Sequence, residues 1–235
     1  MKKKNTAKNR AAAKFAAEQF HILSESSPFS VKEGYKALRT NVIFSLPGTE
    51  SKCIALTSSA RSEGKSTTAI NLGIAFAQIG KRTILLDCDM RLPTIAAKLH
   101  LPKQPGLSNL IVGEASVNDV VQHYCEGLDV IPAGQIPRDP TGLLASEQMK
   151  YMLSKLKEYY DYVIIDLPPV TTVTDAAILT DSVDGYLLVV RHGVTDYRAV
   201  NEMLHQLTLS EAKIMGFVYS GAPVSEKKYY QHYYA

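Results

Sequence analysis

Short apolar runs alternate along this chain with longer segments in which apolar positions recur every three or four residues. The runs predict strands over residues 53–57, 83–87, 128–131, 162–166, 185–190 and 214–219. The longer periodic segments predict helices over 31–44, 66–79, 146–160 and 196–207. Gly80 stands where the second helix should end. Near-continuous apolar strands separated by helices point to an α/β fold, with a mostly parallel sheet flanked by helices on both faces. Residues 134–142, with two Pro and two Gly, predict a loop on the ligand face. Residues 11–20, rich in Ala, predict a short helix, and residues 24–30, with Pro28, a linker. The division expected is a basic arm and linker over 1–29, one domain over 30–220 and a tail over 221–235.

Composition agrees with one large domain. The chain has 235 residues and is 46% hydrophobic, enough for a sizeable core and too apolar for a disordered chain. No apolar run approaches the ~20 residues of a membrane span, and none follows the basic start closely enough to make a secretory signal. Cys53, Cys88 and Cys125 lack metal-ligand spacing. The first two lie in strand-like runs and read as buried small apolar residues. An odd cysteine count points to a reducing cytoplasm. The six His residues are scattered and none is assigned to a metal or to catalysis. The net charge of +3 hides an asymmetry. Lys2, Lys3, Lys4, Lys8, Arg10 and Lys14 precede any acid, and without them the remainder carries −3. Such an arm suits anionic lipid, nucleic acid or plain solvent.

Three strand ends carry the chemistry. Residues 53–56 lead into Thr57-Ser58-Ser59-Ala60-Arg61-Ser62-Glu63-Gly64-Lys65-Ser66-Thr67, followed by a predicted helix. Strand, small-residue loop, Gly-Lys-Ser and helix form the setting of a phosphate-binding loop. Backbone N–H groups and the helix N-terminus face the anion, Lys65 reaches the β- and γ-phosphates, and the Ser66 hydroxyl ligates Mg²⁺. The usual first Gly is replaced by Ser59, which tolerates a positive φ poorly. The second strand end runs Leu85-Leu86-Asp87-Cys88-Asp89-Met90-Arg91, and in extended chain Asp87 and Asp89 point to one side. The third runs Ile164-Ile165-Asp166-Leu167-Pro168-Pro169, a strand stopped by proline and ending in a carboxylate suited to Mg²⁺. Taken singly, each Asp could instead cap the next turn or helix, and Arg91 could make a surface salt bridge.

With these motifs in order, the chain resembles the bacterial protein-tyrosine kinases of the capsule and exopolysaccharide type, P-loop ATPases related to the cell-division-site ATPase MinD. The resemblance covers roughly residues 30–235. It rests on a Walker A loop, an Asp-x-Asp-x-Arg motif (Walker A′), an Asp-x-Pro-Pro motif (Walker B), and a tail bearing Tyr229, Tyr230, Tyr233 and Tyr234. It implies a P-loop NTPase fold and an ATP- and Mg²⁺-dependent autophosphorylating kinase regulating polysaccharide synthesis and export. Ser59 to Thr67 would cradle the nucleotide. Ser66, Asp89 and Asp166 would lie about the metal, Asp87 would act as base or as a further metal ligand, the base being preferred, and Arg91 would hold an aspartate or a phosphate. Asp175 ranks below these. The four tail tyrosines would be phosphorylated in a neighbouring subunit. Implied partners are further copies of the chain in a ring-like homo-oligomer, a transmembrane polysaccharide co-polymerase or adaptor that activates the kinase, and a cognate tyrosine phosphatase. No nucleic acid is expected. The implied location is cytoplasmic, at the inner face of the plasma membrane through the adaptor.

Departures from the family pattern leave other readings open. Arg61-Ser62 stands where many family loops read Pro-Gly. Glu33, Lys36 and Arg39 hold the positions of a Glu-x-x-Arg-x-x-Arg self-association motif, and Lys lacks the bidentate fork of Arg. A MinD- or ParA-like ATPase usually has an extra Lys early in the loop, where Ser59 and Ala60 stand here. A nucleotide-dependent scaffold without significant catalysis is the third reading.

Overall fold

The computed structural model describes residues 21–48 and 50–223. The Ala-rich segment, most of the basic arm and the four tail tyrosines lie outside the described residues. Helix α1 (Phe29–Ser45) comes first, then β1 (Lys52–Ser58), α2 (Lys65–Ala77) and β2 (Thr83–Asp87). Short helices α3 (Ile95–Leu99), α4 (Leu107–Ile111) and α5 (Val117–Val120) lead to β3 (Gln122–Cys125) and β4 (Leu128–Ile131). Then come α6 (Pro140–Leu144), α7 (Glu147–Tyr159), β5 (Tyr162–Asp166), α8 (Asp175–Ile178), β6 (Gly185–Arg191), α9 (Tyr197–Leu209) and β7 (Ile214–Ser220).

The strands form one sheet in the order β3-β4-β2-β5-β1-β6-β7. All neighbours are parallel except β3 and β4. The loop strand β1 therefore lies beside β5, and β5 beside β2. In register, Leu56 pairs with Asp166 and Asp87 with Asp166. The three motif-bearing strands thus end side by side at their C-terminal edges, where open α/β sheets bind ligands.

Two cores cover the sheet. On one face Ile54, Leu56 and Leu85 pack with Ile70 and Phe76 of α2. On the other, Cys53, Ala55, Ile84 and Leu86 pack with Met149 and Leu153 of α7. In α7 the buried residues Met149, Met152, Leu153 and Leu156 repeat at helical spacing, and the Ser146 hydroxyl accepts from the Met149 amide to start the helix. Each such side chain contributes at most about 1.5–3 kcal/mol on burial. The end of α2 is closed as its sequence suggests. Gly80 has φ +75°, and its N–H donates to the Ala77 carbonyl while that of Lys81 reaches Phe76.

Three features differ from the sequence expectation. The polar edge strand β3 pairs antiparallel with β4 across a turn at Glu126 and Gly127, and it has no apolar run to mark it. The expected loop over 134–142 gives way to α6 at Pro140. Proline suits a first helical position, where no N–H is needed, and the Asp139 carboxylate accepts from the Gly142 amide. Residues 21–23, expected within the basic arm and linker over 1–29, are fastened to the domain. Leu23 is buried, its N–H donates to Asn71 Oδ1 at 2.8 Å, and Asn71 Nδ2 donates to the His21 carbonyl at 2.7 Å. Cys53 and Cys88 are fully buried. Among the described residues, no helix is long and apolar enough to cross a membrane.

Candidate active site

The loop between β1 and α2 is shaped by hydrogen bonds to its carbonyls. Ser58 Oγ donates to the Ala60 carbonyl at 2.8 Å, and Thr171 Oγ1 donates to that of Ser59. Arg191 Nη1 donates to the Ser62 carbonyl and Ser220 Oγ to that of Glu63, each at 2.6 Å. In a planar trans peptide the N–H points opposite to the preceding carbonyl. A carbonyl held this way turns the following N–H to the other side; that of Ala60 is taken by the Glu63 carboxylate, which leaves those of Arg61, Glu63 and Gly64 to form an anion-binding nest. Gly64, at φ +98°, turns the chain into α2, whose first N–H groups have no partner within the helix.

The strained position is not Ser59, as the sequence suggested. The positive φ falls at Ser62, +65°, where many family loops carry Gly. The Ser59 hydroxyl instead donates to the Glu63 carboxylate at 2.8 Å. That carboxylate is buried, and it also accepts from the Ala60 amide and the Thr195 hydroxyl.

Lys65 lies at the base of a cleft of about 480 Å³, whose walls include His21, Arg61, Thr67, Leu92, Lys98 and Arg191. Its ammonium donates to Asp89 Oδ2 at 3.0 Å and approaches Asp166 Oδ1 at 3.4 Å and Ser66 Oγ at 3.5 Å. Burial pulls the Lys65 pKa down, but Asp166 and Asp89 outweigh it and the net shift is upward. Asp166 is also raised: its full burial outweighs the help of Lys65 and of the Ser66 hydroxyl.

Asp87 and Asp89 do not share one partner. Asp89 Oδ1 accepts from the Leu92 amide at 3.2 Å while its other oxygen holds Lys65. Asp87 Oδ2 accepts from the amides of Thr94 and Ile95, both at 3.1 Å. Asp87 therefore does anchor the start of α3, as a capping residue would, yet its Oδ1 has no protein partner. Burial above all, with Asp166 second, pushes its pKa up to about 8. Asp166 Oδ2 is likewise buried without a protein partner.

Arg91 makes neither a plain surface salt bridge nor a contact with the three carboxylates above. Its Nη2 donates to Thr141 Oγ1 at 2.7 Å and approaches Asp175 Oδ1 at 3.5 Å, and Thr141 Oγ1 donates to the same Asp175 oxygen at 2.7 Å. Asp175 is fully buried. Sequence reading missed the contacts of Thr171, Arg191, Thr195 and Ser220 with the loop. These partners lie far along the chain from it, and no local motif marks them.

The donor set suits a hard divalent cation held together with a polyanion. Among the described residues, no group of three or more His, Cys, Asp or Glu could hold a metal alone. Mg²⁺ is commonly bound by one or two carboxylates plus substrate phosphates. Here a cationic ammonium already bridges two carboxylates beside the Ser66 hydroxyl, and the buried oxygens Asp87 Oδ1 and Asp166 Oδ2 have no protein partner.

Residues 51–215 match a family model described as an AAA domain. The chain is 35% identical to tyrosine-protein kinase YwqD of Bacillus subtilis (strain 168), over 92% of both chains. It is 36% identical to tyrosine-protein kinase CpsD of Streptococcus agalactiae serotype III (strain NEM316), over 80% of this chain and 81% of that protein. The crystal structure of the chimerical protein CapA2B2 superimposes with a TM-score of 0.79 at 34% identity, covering 85% of this chain and 87% of that one.

Proposed function

The chain belongs to the bacterial capsule-type protein-tyrosine kinases, and we propose that it transfers the γ-phosphoryl group of ATP to tyrosines in the tail of a neighbouring copy of itself. One observation carries the reading. The inward-turned loop, Lys65, and the carboxylates of Asp87, Asp89 and Asp166 meet at the end of one sheet.

Phosphoryl transfer asks mainly for positioning and charge neutralisation. Residues 59–67 cradle the phosphates with backbone N–H groups, and Thr67 faces the α-phosphate. Lys65 exchanges its carboxylate partners for the β- and γ-phosphates. Ser66, Asp89 and Asp166 would hold Mg²⁺, which would neutralise phosphate charge. Asp87 Oδ1, without a protein partner, takes the phenolic proton as the tyrosine oxygen attacks the γ-phosphorus and the bond to ADP breaks. Burial and the neighbouring Asp166 raise this carboxyl above an ordinary aspartate, which makes its ionised form the stronger proton acceptor. Arg91 holds the aspartate Asp175, with Thr141, rather than phosphate.

The acceptors proposed are Tyr229, Tyr230, Tyr233 and Tyr234. A tail of about fifteen residues spans tens of Å when extended, enough to enter a neighbour's cleft. Four phosphotyrosines add about −6 to −8 charges, which favours release of a docked tail and dissociation of the assembly. A transmembrane adaptor that activates the kinase, a cognate phosphatase, and a role in capsule or exopolysaccharide export at the inner face of the plasma membrane complete the proposal. These rest on the family resemblance.

The test is incubation with ATP and Mg²⁺, followed by detection of phosphotyrosine. The parent protein should label, and more strongly with the adaptor's cytoplasmic segment present. A variant with the four tail tyrosines changed to Phe should lose most of the label and stay assembled. Absence of label with and without the adaptor segment would favour the scaffold or MinD-like readings.

A further inference from the structure

The two outer bonds on the phosphate loop come from adjacent strand ends. Arg191 is the last residue of β6 and Ser220 the last of β7, and they are paired in register. Arg191 holds the Ser62 carbonyl and Ser220 the Glu63 carbonyl. By peptide planarity these bonds aim the N–H groups of Glu63 and Gly64, two of the donors an anion in the loop would use. The fit is close, since a Cβ on Gly64 would stand 3.2 Å from Ser220 Oγ.

The same strand ends are bound to each other. The His192 amide donates to the Ser220 carbonyl at 2.9 Å, and the Arg191 amide donates to Thr195 Oγ1 at 2.7 Å. Thr195 in turn donates to the Glu63 carboxylate. Gly221, the first residue beyond β7, sits beside the Arg191 side chain; a Cβ there would be 3.7 Å from Arg191 Cγ and Nε. The phosphate loop, the end of β6 and the exit of β7 are therefore one hydrogen-bonded unit.

We infer that Ser220 and Arg191 are positioning residues for the phosphate loop, and that they couple its occupancy to the chain leaving β7. The inference rests on the phosphate-binding reading of the loop. With Ser220 in place, the peptide between Glu63 and Gly64 is held with its N–H toward the anion. Without it, that peptide turns more freely, and the anion must fix it at the expense of affinity. Coupling is reciprocal: what the strand end does for the anion, the anion does for the strand end. Ser220 separates this role from direct ligand contact better than Arg191 does, because Arg191 also lines the cleft while Ser220 does not.

The experiment uses the whole chain and ADP with Mg²⁺. Titration calorimetry on the parent and on Ser220→Ala should show ADP bound about fivefold more weakly by the variant, the effect of one lost hydrogen bond. Amide hydrogen exchange in the parent should slow at residues 217–223 when ADP binds. That second measurement needs no variant and reads coupling that a purely structural hydroxyl would not provide. A parent that binds no ADP overturns the phosphate-loop reading and this inference with it. A parent that binds ADP overturns the inference alone if Ser220→Ala keeps the parent's affinity, or if exchange at 217–223 is unchanged.

Discussion

The ammonium of Lys65 lies 3.0 Å from the carboxylate of Asp89, and with Asp166 at 3.4 Å it forms a nearly buried cationic bridge at the floor of the cleft. The loop lysine therefore neutralises the strand-end carboxylates before any phosphate is present. Lys65→Met should abolish autophosphorylation, since it removes a charge-assisted contact worth at least ~2 kcal/mol. It should also destabilise the nucleotide-free protein by about 3–5 kcal/mol, because two buried carboxylates lose their counter-charge. Phosphotyrosine labelling checks the first effect and urea unfolding without nucleotide the second. Normal labelling would remove Lys65 from the site, and unchanged stability would show that the bridge contributes little.

Asp87 gives a pH-dependent prediction with a definite sign. Its folded pKa is about 8, above the ~3.9 of an unfolded aspartate, so the folded state binds the proton more tightly. Its contribution to stability is fully present below about pH 4 and is lost as the pH rises toward 8. Asp87→Asn cannot ionise, and its side-chain oxygen can still accept from Thr94 and Ile95. The variant should therefore gain on the parent as pH rises, by on the order of a few kcal/mol at pH 8, while losing kinase activity. Urea unfolding at pH 5, 6.5 and 8 in chelator, without nucleotide, measures the difference. A constant gap across that range would mean that Asp87 titrates as an ordinary carboxylate.

Ser62 holds φ +65° on the exposed side of the loop. A left-handed non-glycine residue costs roughly 1–2 kcal/mol, and glycine returns part of that through its greater unfolded-state entropy. Ser62→Gly keeps the carbonyl that Arg191 holds. It should stabilise the protein by about 0.5–1 kcal/mol, read as a rise in melting temperature. A fall would mean that the serine side chain contributes more than its backbone strain costs.

The Arg91, Thr141 and Asp175 network predicts non-additive effects. Asp175 is fully buried, whereas the Arg91 side chain is 37% exposed, so solvent screens part of their attraction. Arg91→Ala should still cost about 1–3 kcal/mol, because it leaves a buried carboxylate with Thr141 as its remaining donor in this network. Adding Asp175→Asn should recover much of that loss. Additive losses in the double variant would show that the two side chains do not act on each other.

The buried strands and the three motif ends were legible because a run such as Tyr162–Asp166 carries its own signal in apolar content and in the carboxylate that ends it. Strand β3 was not, because Gln122, His123, Tyr124 and Cys125 lie at a half-exposed edge and need no apolar alternation. Its one local cue was Glu126-Gly127, a two-residue turn with Gly127 at φ +83°. The order of the motifs along the chain could be read, but not their order in the sheet or which atom meets which. Asp87 and Asp89, alike in spacing, diverge because the chain turns after Asp87, so one carboxylate meets the start of α3 and the other Lys65. The shape of the loop was least legible. It depends on Thr171, Arg191 and Ser220, which lie 112, 129 and 157 positions from their loop partners.

Helix α1 tests self-association, and its three charged residues divide into two roles. Lys36 Nζ meets Glu33 Oε1 at 2.7 Å on the surface, a local i,i+3 pair. Arg39 points inward, and its Nη1 donates to the Ala75 carbonyl near the end of α2 at 2.8 Å, where a cation meets the negative end of the helix. Arg39→Ala should therefore cost about 1 kcal/mol or more of monomer stability, whatever it does to assembly. A triple substitution would confound the two effects. Glu33→Ala with Lys36→Ala is the cleaner variant, since an exposed pair contributes only ~0.3–0.5 kcal/mol to its own helix. Phe44, 77% exposed toward the end of the same helix, adds apolar surface for a neighbouring copy to cover. If α1 joins subunits, the double variant should give a smaller particle by light scattering at unchanged melting temperature of the dissociated chain. An unchanged mass, in conditions where the parent is oligomeric, would leave Glu33 and Lys36 as a local surface pair and move the search for the interface elsewhere.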